Sequence, residues 1–174
     1  MKLAITGHTK GIGKAIADLY PDHIGFSRSN GHDIGVTSHR EIIISESSDC
    51  DVFVNNAYQN DYQNLMFSDI FLQWEQDPTK TIVNIISRAK YITGTDVDYY
   101  NHKNALATES DQQMFGRKCR VININPGFVM TESSKPDIEK YNMPYITADK
   151  CAGYVKWALE QDLEIGELSF WKSK

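Results

Sequence analysis

Cysteine is scarce: Cys50, Cys119 and Cys151 lie far apart in the sequence and are odd in number. They form no C-x-x-C pair and no metal-ligand spacing, which argues against a disulfide framework or a zinc site. They read instead as small buried hydrophobes of a reducing, intracellular compartment. Long apolar runs are missing too, none approaching the ~18–20 residues that a bilayer span needs. Positive charge is not in excess, with 18 Lys and Arg against 23 Asp and Glu, a net charge of −5. The basic footprint of a nucleic-acid binder is therefore absent. The first residues carry one lysine and then a short strand-like run, unlike a secretory leader. These lacks predict a cytoplasmic protein with no nucleic-acid or membrane partner. Internal repeats, low-complexity tracts and linkers are also absent.

What is present is the balance of a globular protein, 41% hydrophobic and 24% charged over 174 residues, enough for one domain, 1–174, with a real core. Short β-branched or apolar runs recur at Leu3–Thr6, His23–Ser27, Asp51–Asn55, Thr81–Ser87, Arg120–Asn125 and Glu167–Trp171. Helical spacing marks Lys14–Tyr20 (ended by Pro21), His39–Glu46, Leu65–Trp74, Tyr99–Phe115 and Ala148–Leu159. In Leu65–Trp74 the apolar stripe reads Leu65, Met66, Ile70, Phe71 and Trp74. Alternating strands and helices predict an α/β fold, a doubly wound parallel sheet in three layers, shortened, with ligands at the carboxyl ends of the strands. Thr131–Tyr145, with Pro136 and Pro144, is the one long irregular segment and reads as a substrate loop or lid.

The stretch "TGHTKGIG", 6–13, follows the first strand and opens the first helix. Gly7 permits a sharp turn, Gly11 lets backbone approach a pyrophosphate, and Gly13 lets helix pack on strand. The helix then offers free N–H groups and its positive dipole end to phosphate. The G-x-x-x-G-x-G spacing is neither G-x-G-x-x-G nor a P-loop, since no Gly-Lys-Ser/Thr follows.

Four further motifs come in order: "VFVNNAY" (52–58), "TIVNIIS" (81–87), "YYNHK" (99–103) and "NPGFVMT" (125–131). Tyr99 and Lys103 are i and i+4, neighbours on one helix face. A nearby ammonium stabilises a phenolate and brings a tyrosine pKa of about 10 down toward working range. Tyr100 is a rival acid, but it stands i+3 from Lys103.

With these motifs the chain resembles the short-chain dehydrogenase/reductase family over essentially its whole length, as a compact member. The resemblance implies a Rossmann-like fold and catalytic roles for Ser87, which positions a carbonyl oxygen, Tyr99, the acid/base, and Lys103, which also binds the cofactor ribose. Asn64 is the best match for the family's asparagine that holds a proton-relay water, and a helix cap is the equal alternative. The resemblance places Gly7, Thr9, Lys10, Gly11, Ile12, Gly13, Asn56, Ala57, Tyr99 and Lys103 around a nicotinamide cofactor. Asn55 shares the family's "NNAG" motif with Asn56. The same resemblance implies that Pro126, Gly127, Val129 and Thr131 sit against the nicotinamide. Tyr58 stands where the family has glycine, and either crowds the nicotinamide ribose or stacks on the ligand.

The end of the second strand reads "GFSRSNG", 25–31, with no carboxylate for ribose hydroxyls. Arg28 and Ser29 there, with Lys10 in the glycine turn, resemble the NADP-preferring members. Asp33 matches the family's adenine-binding aspartate, with Ile34 beside it. The reading is an NADP(H)-dependent oxidoreductase interconverting a small-molecule carbonyl compound and an alcohol (a CH–OH donor). Its alternative is a catalytically weak or inactive NADP-binding sensor on the same fold, and a nucleotide-sugar epimerase ranks last. The resemblance also implies a homodimer or homotetramer through Leu65–Trp74 and Tyr99–Phe115. The substrate loop offers an apolar wall from Phe128, Met130, Tyr141, Met143 and Tyr145. Arg88 and Lys90, past Ser87, either attract an anionic substrate or are solvated surface charges.

Overall fold

In the structure, a computed structural model describing residues 1–88, 96–113 and 115–173, six parallel strands form one sheet. They are β1 (Leu3–Thr6), β2 (Ile24–Phe26), β3 (Val52–Asn55), β4 (Thr81–Ile85), β5 (Arg120–Pro126) and β8 (Glu167–Phe170). The order across the sheet is β2-β1-β3-β4-β5-β8. The chain order reverses between β1 and β3, and the crevice for ligands in such sheets lies at the carboxyl ends there. Compared with the order 3-2-1-4-5-6 of two full mononucleotide-binding halves, the described residues lack a strand outside β2. That is where the chain is shortened.

Successive residues of a strand face opposite sides, and both sides of this sheet are covered. Leu3, Ile5, Val54, Val83, Ile85, Ile122 and Ile124 pack under α1 (Gly11–Leu19) and α6 (Ala148–Leu159) through Ala15, Ile16, Ala152 and Val155. Ala4, Phe53, Ile82 and Val121 pack under α2 (Thr37–Glu46), α3 (Tyr62–Trp74) and α4 (Val97–Gln112). This is the expected three-layer, doubly wound α/β architecture. Each fully buried large apolar side chain on α3, such as Phe67 or Ile70, contributes roughly 1.5–3 kcal/mol. The three cysteines are free and buried, as expected. Burial pushes the Cys151 thiol up to about 12. No described helix is long and apolar enough to cross a membrane.

Several expected bounds move. Helix α3 begins at Tyr62 rather than Leu65, and Leu65 is exposed while Gln63, Met66, Phe67, Ile70, Phe71 and Trp74 form the buried stripe. Helix α4 ends at Gln112, leaving Phe115 outside it and exposed. The segment read as irregular, 131–145, contains α5 (Lys135–Lys140), started by Pro136 and anchored by buried Ile138. It is flanked by a small parallel pair, β6 (Val129–Met130) and β7 (Ile146–Thr147). A proline pre-sets the first helical turn, so a residue read as a loop marker acts here as a helix starter.

The central strands carry polar residues inside the sheet. Asn55, Asn84 and Asn123 stand side by side, and their amides bond in a row: Asn55 Nδ2 donates to Asn84 Oδ1 at 3.0 Å, and Asn84 Nδ2 to Asn123 Oδ1 at 3.1 Å.

Candidate active site

The glycine turn is built as its spacing requires. Gly7 and Gly11 have φ of 71° and 53°, in the left-handed region. A Cβ on Gly13 would lie 2.2 Å from Gly7 O, so only glycine lets α1 come this close to the end of β1. Helix α1 then starts at Gly11 with its unpaired N–H groups at the mouth of the crevice. Asn56 fastens the turn to β3, with Nδ2 donating to Thr6 O at 3.0 Å and Gly7 O at 3.3 Å. The Thr6 hydroxyl accepts from the N–H of Asn56 and of Ala57, each at 3.0 Å. Opposite, Thr131 Cγ2 lies 3.1 Å from where a Gly11 Cβ would be, so the two walls nearly touch. A cradle that side chains would fill, facing a helix end, fits a dinucleotide pyrophosphate.

Between these walls opens a cleft of about 950 Å³. Lys10, Gly11, Ile12, Asn56, Ser87, Tyr99, Lys103, Pro126, Gly127, Val129 and Thr131, all expected site residues, line it. Ser87 lies two residues past β4. Tyr99 sits in the first turn of α4, whose start is fixed by Asp96 accepting from the N–H of Asp98 and Tyr99 at 3.0 and 3.2 Å. A side-chain hydrogen bond links Tyr99 and Ser87. Burial raises the Tyr99 pKa, and the Ser87 bond opposes that rise.

Lys103 departs from expectation. It is buried, and its Nζ donates to Gln63 Oε1 at 2.6 Å and Ile85 O at 2.9 Å. Desolvation lowers its pKa to about 7. Its Nζ lies 5.6 Å from the Tyr99 ring centroid, and the Tyr99 pKa is raised by burial rather than lowered. Gln63 is held in turn, its Nε2 donating to Asn55 O at 2.8 Å and Ile85 O at 3.0 Å. With both amide protons committed, Oε1 is left to face Lys103.

Asn64 lies inside the first turn of α3, and its Nδ2 donates to Glu109 Oε2 at 2.8 Å. Neighbours on a helix point about 100° apart, so Gln63 and Asn64 cannot both face Lys103. It is not the helix cap either, which is Asp61. Sequence reasoning missed Gln63, although its place on the stripe of Met66, Phe67, Ile70 and Trp74 marks it as inward-facing.

Tyr58 also lines the cleft. Its ring meets Tyr99 edge-on, with centroids 4.9 Å apart at 73°, and Lys103 Nζ lies 5.1 Å from its centroid. Its hydroxyl is tied to His102 Nδ1 at 3.0 Å, and His102 Nε2 faces Asp61 at 3.3 Å.

At the far end, Ser27 and Asn30 close a 3-10 turn over Arg28–Asn30, which leaves Arg28 and Ser29 exposed past β2. Lys10 pairs with Glu132 at 3.3 Å, both side chains exposed. Asp33 Oδ1 accepts from Gly35 N at 2.8 Å. The Ile34 side chain is buried in the core, leaving only its backbone for a ligand. Thr9 is exposed on the turn. Lys90 lies outside the described residues.

No protein-family model matches the chain, and no curated protein does. Solved structures do. A closed form of serine dehydrogenase complexed with NADP+ superposes with a TM-score of 0.81 at 18% identity, over 98% of this chain and 94% of that one. The 3-alpha-hydroxysteroid dehydrogenase of Pseudomonas sp. B-0831, complexed with NADH, gives 0.81 at 16% identity over 98% and 95%. A short chain dehydrogenase/reductase family protein gives 0.80 at 16% identity over 98% and 95%. The fold of the chain is thus the one that short-chain dehydrogenases/reductases have.

Proposed function

We propose that this chain is an NADP(H)-dependent oxidoreductase of the short-chain dehydrogenase/reductase kind, interconverting a carbonyl compound and an alcohol. The observation that carries the reading is the Ser87–Tyr99 hydrogen bond at the carboxyl ends of the strands, with Lys103 one turn along α4 and the glycine cradle lining the same cleft. The glycine turn, Asn56, Pro126, Gly127 and Thr131 would hold the cofactor, whose chemistry there would be to supply or take a hydride. The rest falls to the chain's own groups. The Ser87 hydroxyl, which favours the charged form of Tyr99, holds the substrate oxygen and Tyr99 gives it a proton. Lys103, near its midpoint at neutral pH, exchanges a proton with the site. NADP rather than NAD is read from Arg28 and the missing carboxylate past β2.

The bound NADP+ of the serine dehydrogenase and NADH of the hydroxysteroid dehydrogenase support a nicotinamide ligand. The sensor alternative draws on one observation, that two protein acceptors already occupy Lys103. A homodimer or homotetramer through α3 and α4, where Leu65 and Leu72 are exposed, and a cytoplasmic location complete the proposal.

Tyr99→Phe tests it. Turnover of a carbonyl panel, read as NADPH consumption, is expected to fall at least about 100-fold, with NADPH binding by thermal shift kept. Unchanged turnover removes Tyr99 as the acid. NADPH binding without turnover in the unaltered chain leaves the sensor.

A further inference from the structure

Arg88 follows Ser87 in the chain and lines the same cleft. Its guanidinium carbon lies 3.5 Å from the centroid of the Trp171 ring, so the group rests flat on the indole. Its Nε is buried with no hydrogen-bond partner, and no carboxylate among the described residues pairs with it. The residue as a whole is only partly exposed. Trp171 is held in turn: Gly127 N–H donates to Phe170 O at 2.8 Å, and a Cβ on Gly127 would meet Trp171 Cβ at 2.7 Å. Glycine at 127 is what lets the Trp171 backbone and Cβ come this close to the end of β5.

The other cations of the cleft are engaged or turned aside. Lys10 faces Glu132, Lys103 donates to Gln63 and Ile85, and Lys172 lies 5.7 Å from the Tyr145 centroid. Among the described residues Arg88 has no counter-ion, and it lines the cleft that holds Ser87 and Tyr99. Stacking covers a face of the guanidinium and leaves its in-plane N–H edge, the geometry that matches a planar carboxylate bidentately. Asp96, Glu132 and Asp137 on the walls repel a phosphate dianion more than a monoanion.

We propose that Arg88, backed by Trp171, anchors the carboxylate of a small substrate, so that the molecule handled at Ser87 and Tyr99 is an oxo acid or the corresponding hydroxy acid. The anchor rests on the oxidoreductase reading only for what the bound molecule undergoes.

Malonate, a non-reacting dicarboxylate, titrated into the full chain by calorimetry tests the anchor without turnover. It is expected to bind the unaltered protein and to bind Arg88→Gln on the order of 100-fold more weakly, with inorganic phosphate failing to displace it. Arg88→Lys keeps the charge but loses the fork, and is expected to recover only part of the binding. In turnover, 2-oxobutanoate is expected to exceed its methyl ester by about 100-fold in kcat/KM, with Arg88→Gln collapsing that ratio through KM. Equal malonate affinity in the unaltered chain and Arg88→Gln, or no malonate binding by a folded protein that binds NADPH, overturns the anchor. Displacement of malonate by equimolar phosphate overturns the carboxylate assignment. Arg88-dependent malonate binding in a chain that reduces no carbonyl supports the anchor and overturns the oxidoreductase reading instead.

Discussion

Lys103 Nζ and Gln63 Oε1 are 2.6 Å apart across the α3–α4 contact. An amide oxygen can accept from an ammonium or from a neutral amine, so this contact survives either protonation state. A carboxylate at position 63 would instead lock the lysine in its charged form. With a neutral acceptor, burial is free to bring Lys103 to about 7, where a proton moves on or off with little cost.

The first prediction is a pH dependence of stability. The folded pKa of Lys103, about 7, lies below its ordinary 10.5. Between those values the unfolded chain holds more protons than the folded one, so stability rises with pH across that window, by up to about 1.4 kcal/mol per unit. Chemical denaturation at pH 7 and pH 9 is expected to show the rise, and Lys103→Met to remove it.

Gln63→Glu is expected to raise the Lys103 pKa by about 1–3 units and flatten that dependence. The kcat profile should move upward in pH with it. An unmoved profile would detach Gln63 from the proton-handling group.

Arg28→Asp is expected to weaken NADPH on the order of 100-fold while changing NADH far less, because a carboxylate repels the 2′-phosphate and accepts from ribose hydroxyls. Equal losses in titrations with both cofactors would take Arg28 out of the phosphate site.

Two glycines are expected to respond in opposite directions. Gly13→Ala drives a Cβ to 2.2 Å from Gly7 O and should cost about 1–3 kcal/mol or more. Gly153, inside α6 with nothing within 4 Å of its Cβ position, should gain roughly 0.5–1 kcal/mol as alanine. Urea unfolding of the two variants reads both.

Much of this was legible in the sequence. Each expected strand is present within a residue or two, because β-branched runs between helical stretches leave few choices. The glycine turn read out through its spacing, and Ser87, Tyr99 and Lys103, taken from the motifs, line one cleft. The surroundings of Asn64 did not read out, because a polar residue at the start of a helix reads the same whether it faces solvent, a cap or a neighbouring helix. Gln63, one residue earlier, is buried only because α3 starts three residues before its apolar run suggests. The Lys103 pKa was out of reach for a different reason: spacing places an ammonium beside a tyrosine but says nothing of how dry the place is. Arg88 was visible as a charge, and only the fold brings Trp171, 83 positions later in the chain, under its guanidinium.

The row of Asn55, Asn84 and Asn123 acts as an alignment key. Sliding β4 by two residues against β3 would leave every apolar side chain on its own face of the sheet, so hydrophobic burial alone barely forbids the slip. The same slip would carry the Asn84 amide away from Asn55 and Asn123 into hydrocarbon, at roughly 1–3 kcal/mol for each buried group left unmatched. Since Ser87 rides three residues beyond Asn84, a misaligned sheet would carry the serine hydroxyl about 6–7 Å off its place. These asparagines, remote from the chemistry, thus decide whether the Ser87 and Tyr99 hydroxyls meet at all.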